Sequence, residues 1–182
     1  MIDTHARGEM TSPLQKGYPL KRLWAPWRMK YISGISKKDD GCIFCSKPLE
    51  TDDKSNLILH RGDKNFIILN AFPYSNGHVL IVPYVHTSEL DMLDEAVSRE
   101  SWRLLVLCKK VLAKVYKPDG FNIGMNIGRS AGAGIEQHLH IHIVPRWHGD
   151  VNFMPVMSDT RVISQDLGDT YDLLAPHFKN CV

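Results

Sequence analysis

Three histidines stand at alternate positions in the run His138-Leu139-His140-Ile141-His142. In an extended chain alternate side chains share a face. The three imidazoles are therefore expected to project together, with Leu139, Ile141 and Ile143 in the core behind them. Two chemistries use such a set. One is a three-histidine metal centre of the kind that holds catalytic zinc. The other is nucleophilic catalysis centred on the middle histidine, His140, in which a neutral imidazole nitrogen of the set attacks phosphorus while a carbonyl holds the proton on the other ring nitrogen. Spacing alone leaves both open.

The residues upstream favour an anionic substrate. Gly128-Arg129-Ser130-Ala131-Gly132-Ala133-Gly134 is a loop of small residues. The backbone N–H groups of Gly132, Ala133 and Gly134 can approach a phosphate because no bulky side chain holds it off. Polyanion chemistry accounts for loop and histidines together, whereas a metal centre accounts only for the histidines. Arg129 is placed within this loop.

A second cluster of reactive residues is Cys42-Ile43-Phe44-Cys45. A Cys-x-x-Cys pair is half of a tetrahedral zinc site and needs two more ligands. His86 and His138 are candidates, with His60 as an alternative. Free thiols and a redox pair remain open on the residues alone. Cys108 lies in an apolar stretch and reads as a small hydrophobe.

The elements that must position these groups follow from periodicity. Asn56 to His60 and Asn65 to Asn70 read as a hairpin turning at Arg61-Gly62-Asp63-Lys64. His78 to Pro83 is a third strand, after a loop marked by Pro73 and Gly77. Residues 95–116 repeat helically, with Ala96, Trp102, Leu104, Leu105, Val106, Val111, Leu112 and Val115 as a broad apolar stripe. Ser88 or Asp91 is expected to cap this helical material. Phe121 to Ile127 alternates as a strand. The triad strand is expected over 137–144, ending at Pro145, and a last helix over 162–175. Antiparallel strands with one long helix give an α+β fold.

Bulk properties limit the function classes. With 182 residues, 43% hydrophobic and 23% charged, the chain suits one globular domain with a core of its own. A net charge of +2 gives no broad nucleic-acid footprint. No apolar run approaches the roughly 20 residues of a membrane span. The first residues lack the layout of a secretory signal, and the cysteine spacing is not that of a disulfide scaffold. A cytoplasmic protein is expected, with residues 1–20 as a flexible N-terminal arm and Leu20 to Ile32 as an aromatic, basic segment in which Pro26 opens a short helix.

His-Leu-His-Ile-His-Ile-Val resembles the histidine triad (HIT) pattern. Asn70, Gly77-His78-Val79-Leu80, Asn126 and Val144-Pro145-Arg146-Trp147 resemble the fragile-histidine-triad and diadenosine-polyphosphate phosphorylase branch. Leu23-Trp24-Ala25-Pro26-Trp27-Arg28 and Gly149-Asp150-Val151-Asn152-Phe153 are similar to bacterial diadenosine tetraphosphate phosphorylases. The resemblance implies one HIT domain over 21–182, with an antiparallel sheet, helices and a homodimer formed through the long helix and a strand. It implies a small-molecule nucleotide substrate, cleaved at the α-phosphate through a nucleotidyl-His140 intermediate, with water or phosphate as acceptor. His142 and His78 would contact phosphate and His138 would orient the site. Asn70 matches the ribose-binding position, Asn126 the bridging-phosphate region, and Trp147 a residue that reaches toward the partner's nucleotide. Gly134 stands where relatives carry a hydroxyl residue. The wider superfamily also favours structural zinc on Cys42, Cys45, His86 and His138, and no organic cofactor. Nucleoside phosphoramidate hydrolysis is the alternative activity within the family; a non-catalytic nucleotide-binding protein is the alternative outside enzymes.

Overall fold

A computed structural model describes residues 41–150 and 163–179. The expected N-terminal arm, the aromatic segment 20–32, Val151-Asn152-Phe153 and Cys181 lie outside these residues. Among those described, two helical turns, α1 (Ile43–Ser46) and α2 (Asp53–Asn56), precede strands β1 (Ile58–Arg61), β2 (Asn65–Leu69) and β3 (Val79–Pro83). A long helix α3 (Glu95–Tyr116), strands β4 (Gly120–Gly124) and β5 (Ile141–Arg146), and helix α4 (Leu167–Lys179) follow.

The strands form one antiparallel sheet in the order β1-β2-β3-β5-β4. Alternation sorts the two faces. Ile67, Leu69, Val79, Ile81 and Ile143 pack against Leu104, Cys108, Val111 and Leu112 of α3 and Leu174 and Phe178 of α4. Phe66, Ile68, Leu80 and Val82 point the other way, with Ile58 and Phe44. β2 and β3 are buried on both faces, which is why they read as unbroken apolar runs. Leu80 stands opposite His142 in the β3–β5 register, so His142 lies on the face away from the long helices.

The α+β architecture, the hairpin and the long helix agree with expectation. Several boundaries do not. β1 begins at Ile58, because Asn56 ends α2 and Leu57 turns left-handed with φ 62°. The α3 cap is Asp94, which accepts from the Val97 amide, rather than Ser88 or Asp91. Its apolar stripe is narrower than expected: Trp102 and Val106 face outward, and Ala96 is exposed. Cys108 is fully buried and packs as a hydrophobe. β4 stops at Gly124. α4 runs later than expected, with Asp166 accepting from the Gly168 amide at its start.

The triad segment departs most. β5 runs from Ile141 to Arg146 and takes in Pro145 opposite Phe121, so His138 and His140 precede the ladder. They are held by the end of β3 instead: Leu139 N–H donates to the Thr87 carbonyl at 2.7 Å, and His138 Nε2 bonds the Pro83 carbonyl at 2.8 Å.

Gly77 sets the entry to β3. Its φ is +72°, and a Cβ there would lie 2.7 Å from Tyr116 Cε2 on α3. Both the conformation and the close approach require glycine, and together they place His78. Gly77→Ala is expected to cost about 2 kcal/mol from backbone strain and overpacking. That corresponds to a melting temperature lower by roughly 4–8 °C in a thermal denaturation of the two proteins; an unchanged melting temperature contradicts the packing.

Candidate active site and metal cluster

The three triad histidines occupy three different environments. His138 is 1% exposed. Its Nε2 donates to the Pro83 carbonyl, because a carbonyl can only accept. The proton is therefore on Nε2, and Nδ1 presents a lone pair. That lone pair faces Cys42 Sγ at 3.3 Å, Cys45 Sγ at 3.6 Å and His86 Nδ1 at 3.2 Å, with Cys45 Sγ 3.3 Å from His86 Nδ1.

Zinc bound tetrahedrally at ordinary bond lengths holds its nitrogen and sulfur ligands roughly 3.3–3.8 Å apart. The four atoms, all within 4.8 Å of one another, match that spacing, and two thiolates with two neutral imidazoles are a zinc donor set. The Pro83 carbonyl on the far nitrogen of His138 holds the ring in the tautomer that leaves Nδ1 free to ligate. Cys42, Cys45, His86 and His138 fit the ion. His60, on β1, is not part of the cluster. The three-histidine metal centre does not form: the ring of His138 is committed to the cysteines and to Pro83.

His140, 6% exposed, uses the backbone of its neighbour. Its Nδ1 donates to the His138 carbonyl at 2.8 Å. Nε2 consequently carries the lone pair. Burial pushes the pKa of His140 down, and the His138 carbonyl raises it part of the way back, so the ring is neutral near pH 7.

His142 is set by a second relay. The Tyr74 amide donates to His78 Nδ1 at 3.1 Å, which makes Nδ1 an acceptor and leaves the proton of neutral His78 on Nε2. Nε2 in turn donates to His142 Nδ1 at 2.9 Å. The proton of His142 is thereby placed on Nε2, beside His140, whose ring centroid is 4.8 Å away. His78 is 1% exposed and both its nitrogens are engaged. In this structure it supports His142. Burial, then the charges of His142 and His140, lower its pKa to about 3.

The other expected residues are dispersed around this centre. Asn70 accepts from the Phe72 amide at 3.0 Å and lies against the His78 ring. Asn126 lines a cleft of about 390 Å³ with Tyr74, Met125, His142 and Arg146. In the glycine loop the Gly132 amide bonds the Arg129 carbonyl and the Ala133 amide bonds Gly128. The loop's own turn thus uses two of the three amides expected to meet phosphate; the Gly134 amide is not used by that turn. Trp147 packs edge-on against Tyr116 of its own chain. Arg146 pairs with Asp150 and bonds Asn122, while His148 is exposed and pairs with Asp119.

Phe44 and Tyr74 also border the site, against His140 and His142. Phe44 lay inside the cysteine motif and Tyr74 acts largely through its amide, so neither carried a signal of residue type.

A profile of the HIT domain matches residues 51–149. The chain belongs to the HIT domain family. It is 40% identical over 162 residues to a protein named AP-4-A phosphorylase from Mycobacterium tuberculosis, covering 86% of this chain and 83% of the relative. The fold is shared with a histidine triad nucleotide-binding protein of Sulfolobus tokodaii (28% identity, TM-score 0.59, 76% of this chain and 93% of that one). A zinc-bound histidine triad protein of Mycobacterium smegmatis also shares it (22% identity, TM-score 0.60, 76% and 94%). No helix among the described residues is long and apolar enough to cross a membrane.

Two outcomes follow. Cys42→Ser or Cys45→Ser is expected to remove bound zinc, read by elemental analysis, and to lower the melting temperature by several degrees; a stable variant without metal contradicts a structural role. His78 has a folded-state pKa below its unfolded value of about 6.5, so the unfolded chain binds the extra proton. Stability is then complete above about pH 6.5 and is lost as pH falls toward 3. His78→Gln is expected to flatten the fall in melting temperature between pH 6.5 and 4; an unaltered slope contradicts the buried neutral ring.

Proposed function

We propose that this protein cleaves dinucleoside polyphosphates, such as diadenosine tetraphosphate, at the α-phosphate through a covalent nucleotidyl intermediate on His140. The observation that carries the reading is the fixed tautomer of His140. With Nδ1–H held by the His138 carbonyl, Nε2 is a lone pair on a neutral ring, which is what attack on phosphorus needs. The HIT domain family and the phosphorylase name of the 40% identical relative support the substrate class.

In this mechanism Nε2 of His140 forms a bond to the α-phosphorus as the bond from that phosphorus to its bridging oxygen breaks. The departing nucleotide leaves with the electron pair. His142 Nε2–H donates to the phosphoryl or bridging oxygen and offsets the charge that develops there. The nucleotidylated ring retains its Nδ1 proton and becomes cationic, and the His138 carbonyl stabilises that charge. An acceptor then attacks phosphorus, the phosphorus–nitrogen bond breaks, and His140 returns neutral. Inorganic phosphate is the acceptor favoured by the phosphorylase relative; with water the same steps give hydrolysis.

Asn70 is assigned to the ribose, Asn126 to the bridging-phosphate side of the cleft, and the Gly134 amide to a phosphate oxygen. Zinc on Cys42, Cys45, His86 and His138 supplies rigidity and no step of the reaction. The HIT domain extends over residues 21–182 in this reading, with 1–20 as an arm; the family match over 51–149 supports its central part. A homodimer belongs to the same reading: β4 is an edge strand with Ile123 exposed, and Trp102 and Val106 are exposed on α3.

The test is turnover of diadenosine tetraphosphate by the purified chain and by His140→Ala, with products identified. ADP plus ATP marks phosphorolysis, and AMP plus ATP marks hydrolysis. His140→Ala is expected to lose activity by about 10³-fold or more while its melting temperature stays within a few degrees. Turnover comparable to the parent's excludes His140 as nucleophile.

A further inference from the structure

Phe44 is one of the two residues between Cys42 and Cys45, and its side chain is turned away from solvent. Cys42 precedes α1, and its carbonyl accepts from the amides of Cys45 and Ser46 at 2.9 and 3.0 Å. This tight turn directs Cys42 Sγ and Cys45 Sγ toward His138 and drives Phe44 inward, where it is 4% exposed. There the phenyl ring lies 5.5 Å from the His138 ring, edge-on at 77°, and 5.1 Å from the His140 ring at 55°. Ile58, Phe66, Ile68, Leu80 and Val82 pack with it in one cluster. The neighbouring Ile43 is 47% exposed, so burial is particular to Phe44 and not a property of the whole turn.

The hydrogen bond from His140 Nδ1 to the His138 carbonyl fixes a tautomer, but one hydrogen bond tolerates tens of degrees of misalignment. A tilt of the imidazole about that bond sweeps Nε2, the atom that must meet phosphorus in line. Displacements of about 1 Å at such an atom cost on the order of 10²-fold in rate. A close-packed aromatic ring against the imidazole removes that freedom, because a core site admits few alternative rotamers.

We propose that Phe44 is a positioning residue for the nucleophile. Its ring fixes the plane of His140, and the cysteine turn fixes Phe44, so that metal cluster and nucleophile are joined through one side chain as well as through the His138 backbone. The catalytic part of this proposal rests on the reading of His140 as nucleophile.

The test uses full-length protein carrying Phe44→Ala, with Phe44→Leu as the volume-retaining variant. Four quantities are read: zinc content, melting temperature, kcat and KM for diadenosine tetraphosphate, and the ring nitrogen NMR signals of the histidines without substrate. Phe44→Ala is expected to keep its zinc and to remain folded at the assay temperature. Its kcat should fall about 10- to 100-fold with KM within threefold, and Phe44→Leu should lie between it and the parent. The His140 signals should move from a single Nδ1–H tautomer toward an averaged pair. A kcat within twofold of the parent in Phe44→Ala, or a loss of kcat that only tracks loss of zinc, overturns the proposal. If Phe44→Ala does not fold, Phe44→Leu decides: a kcat at least threefold lower at unchanged KM and zinc upholds it, and a parental kcat overturns it. The ring signals are recorded without substrate, so they test Phe44 even if His140→Ala remains active and the nucleophile reading fails.

Discussion

The hydrogen bond from His140 Nδ1 to the carbonyl of His138 is the interaction on which the site depends. It selects the tautomer that leaves a lone pair on Nε2, while burial outweighs the carbonyl's opposing effect and lowers the pKa, leaving the ring neutral. A carbonyl suits this position because it accepts without adding a full charge, so in the proposed mechanism the ring is neutral before attack and cationic after it. The acceptor is itself immobile: the side chain of His138 is fixed by Pro83 on one nitrogen and directed at Cys42, Cys45 and His86 by the other.

Both relays that order the histidines begin at the ends of one strand. Pro83 closes β3 and holds His138; His78 directly precedes β3 and, fixed by the Tyr74 amide, sets the proton of His142. β3 is the middle strand of the sheet, hydrogen-bonded on both edges and buried on both faces. Placing both relays there ties the chemistry to the part of the fold least able to open locally. Three residues of one type thereby acquire three environments. His138 turns a ring nitrogen to the cysteines and accepts through its backbone, His140 presents a lone pair, and His142 presents a proton.

Much of this was legible in the sequence. Apolar runs and turn residues give β1, β2, β3 and α3 to within a few positions, and the alternating histidines beside small residues point to the triad, within which the resemblance assigns the nucleophile to His140. On ligand chemistry the cysteine pair leaves His86, His138 and His60 as candidates, and the resemblance to the wider superfamily favours His86 and His138. What escaped the sequence depends on backbone groups and packing. Alternation places all three imidazoles on one face, yet Thr87 and Pro83 draw residues 138–140 off the ladder before β5 begins, and that separates His138 from its neighbours. The glycine loop reads as three available amides, but its 3₁₀ turn at Arg129–Ala131 uses those of Gly132 and Ala133. Phe44 and Tyr74 are ordinary aromatic residues by type; only the fold shows a ring against His140 and an amide on His78.

The central claim concerns one bond, between a ring nitrogen and phosphorus, and it can be observed directly. A reaction with diadenosine tetraphosphate, quenched in the first turnover under alkaline denaturing conditions that preserve phosphoramidates, can be digested and sequenced by mass spectrometry. The account predicts an AMP adduct on His140. An adduct on another residue, or none under conditions where product has already formed, contradicts it.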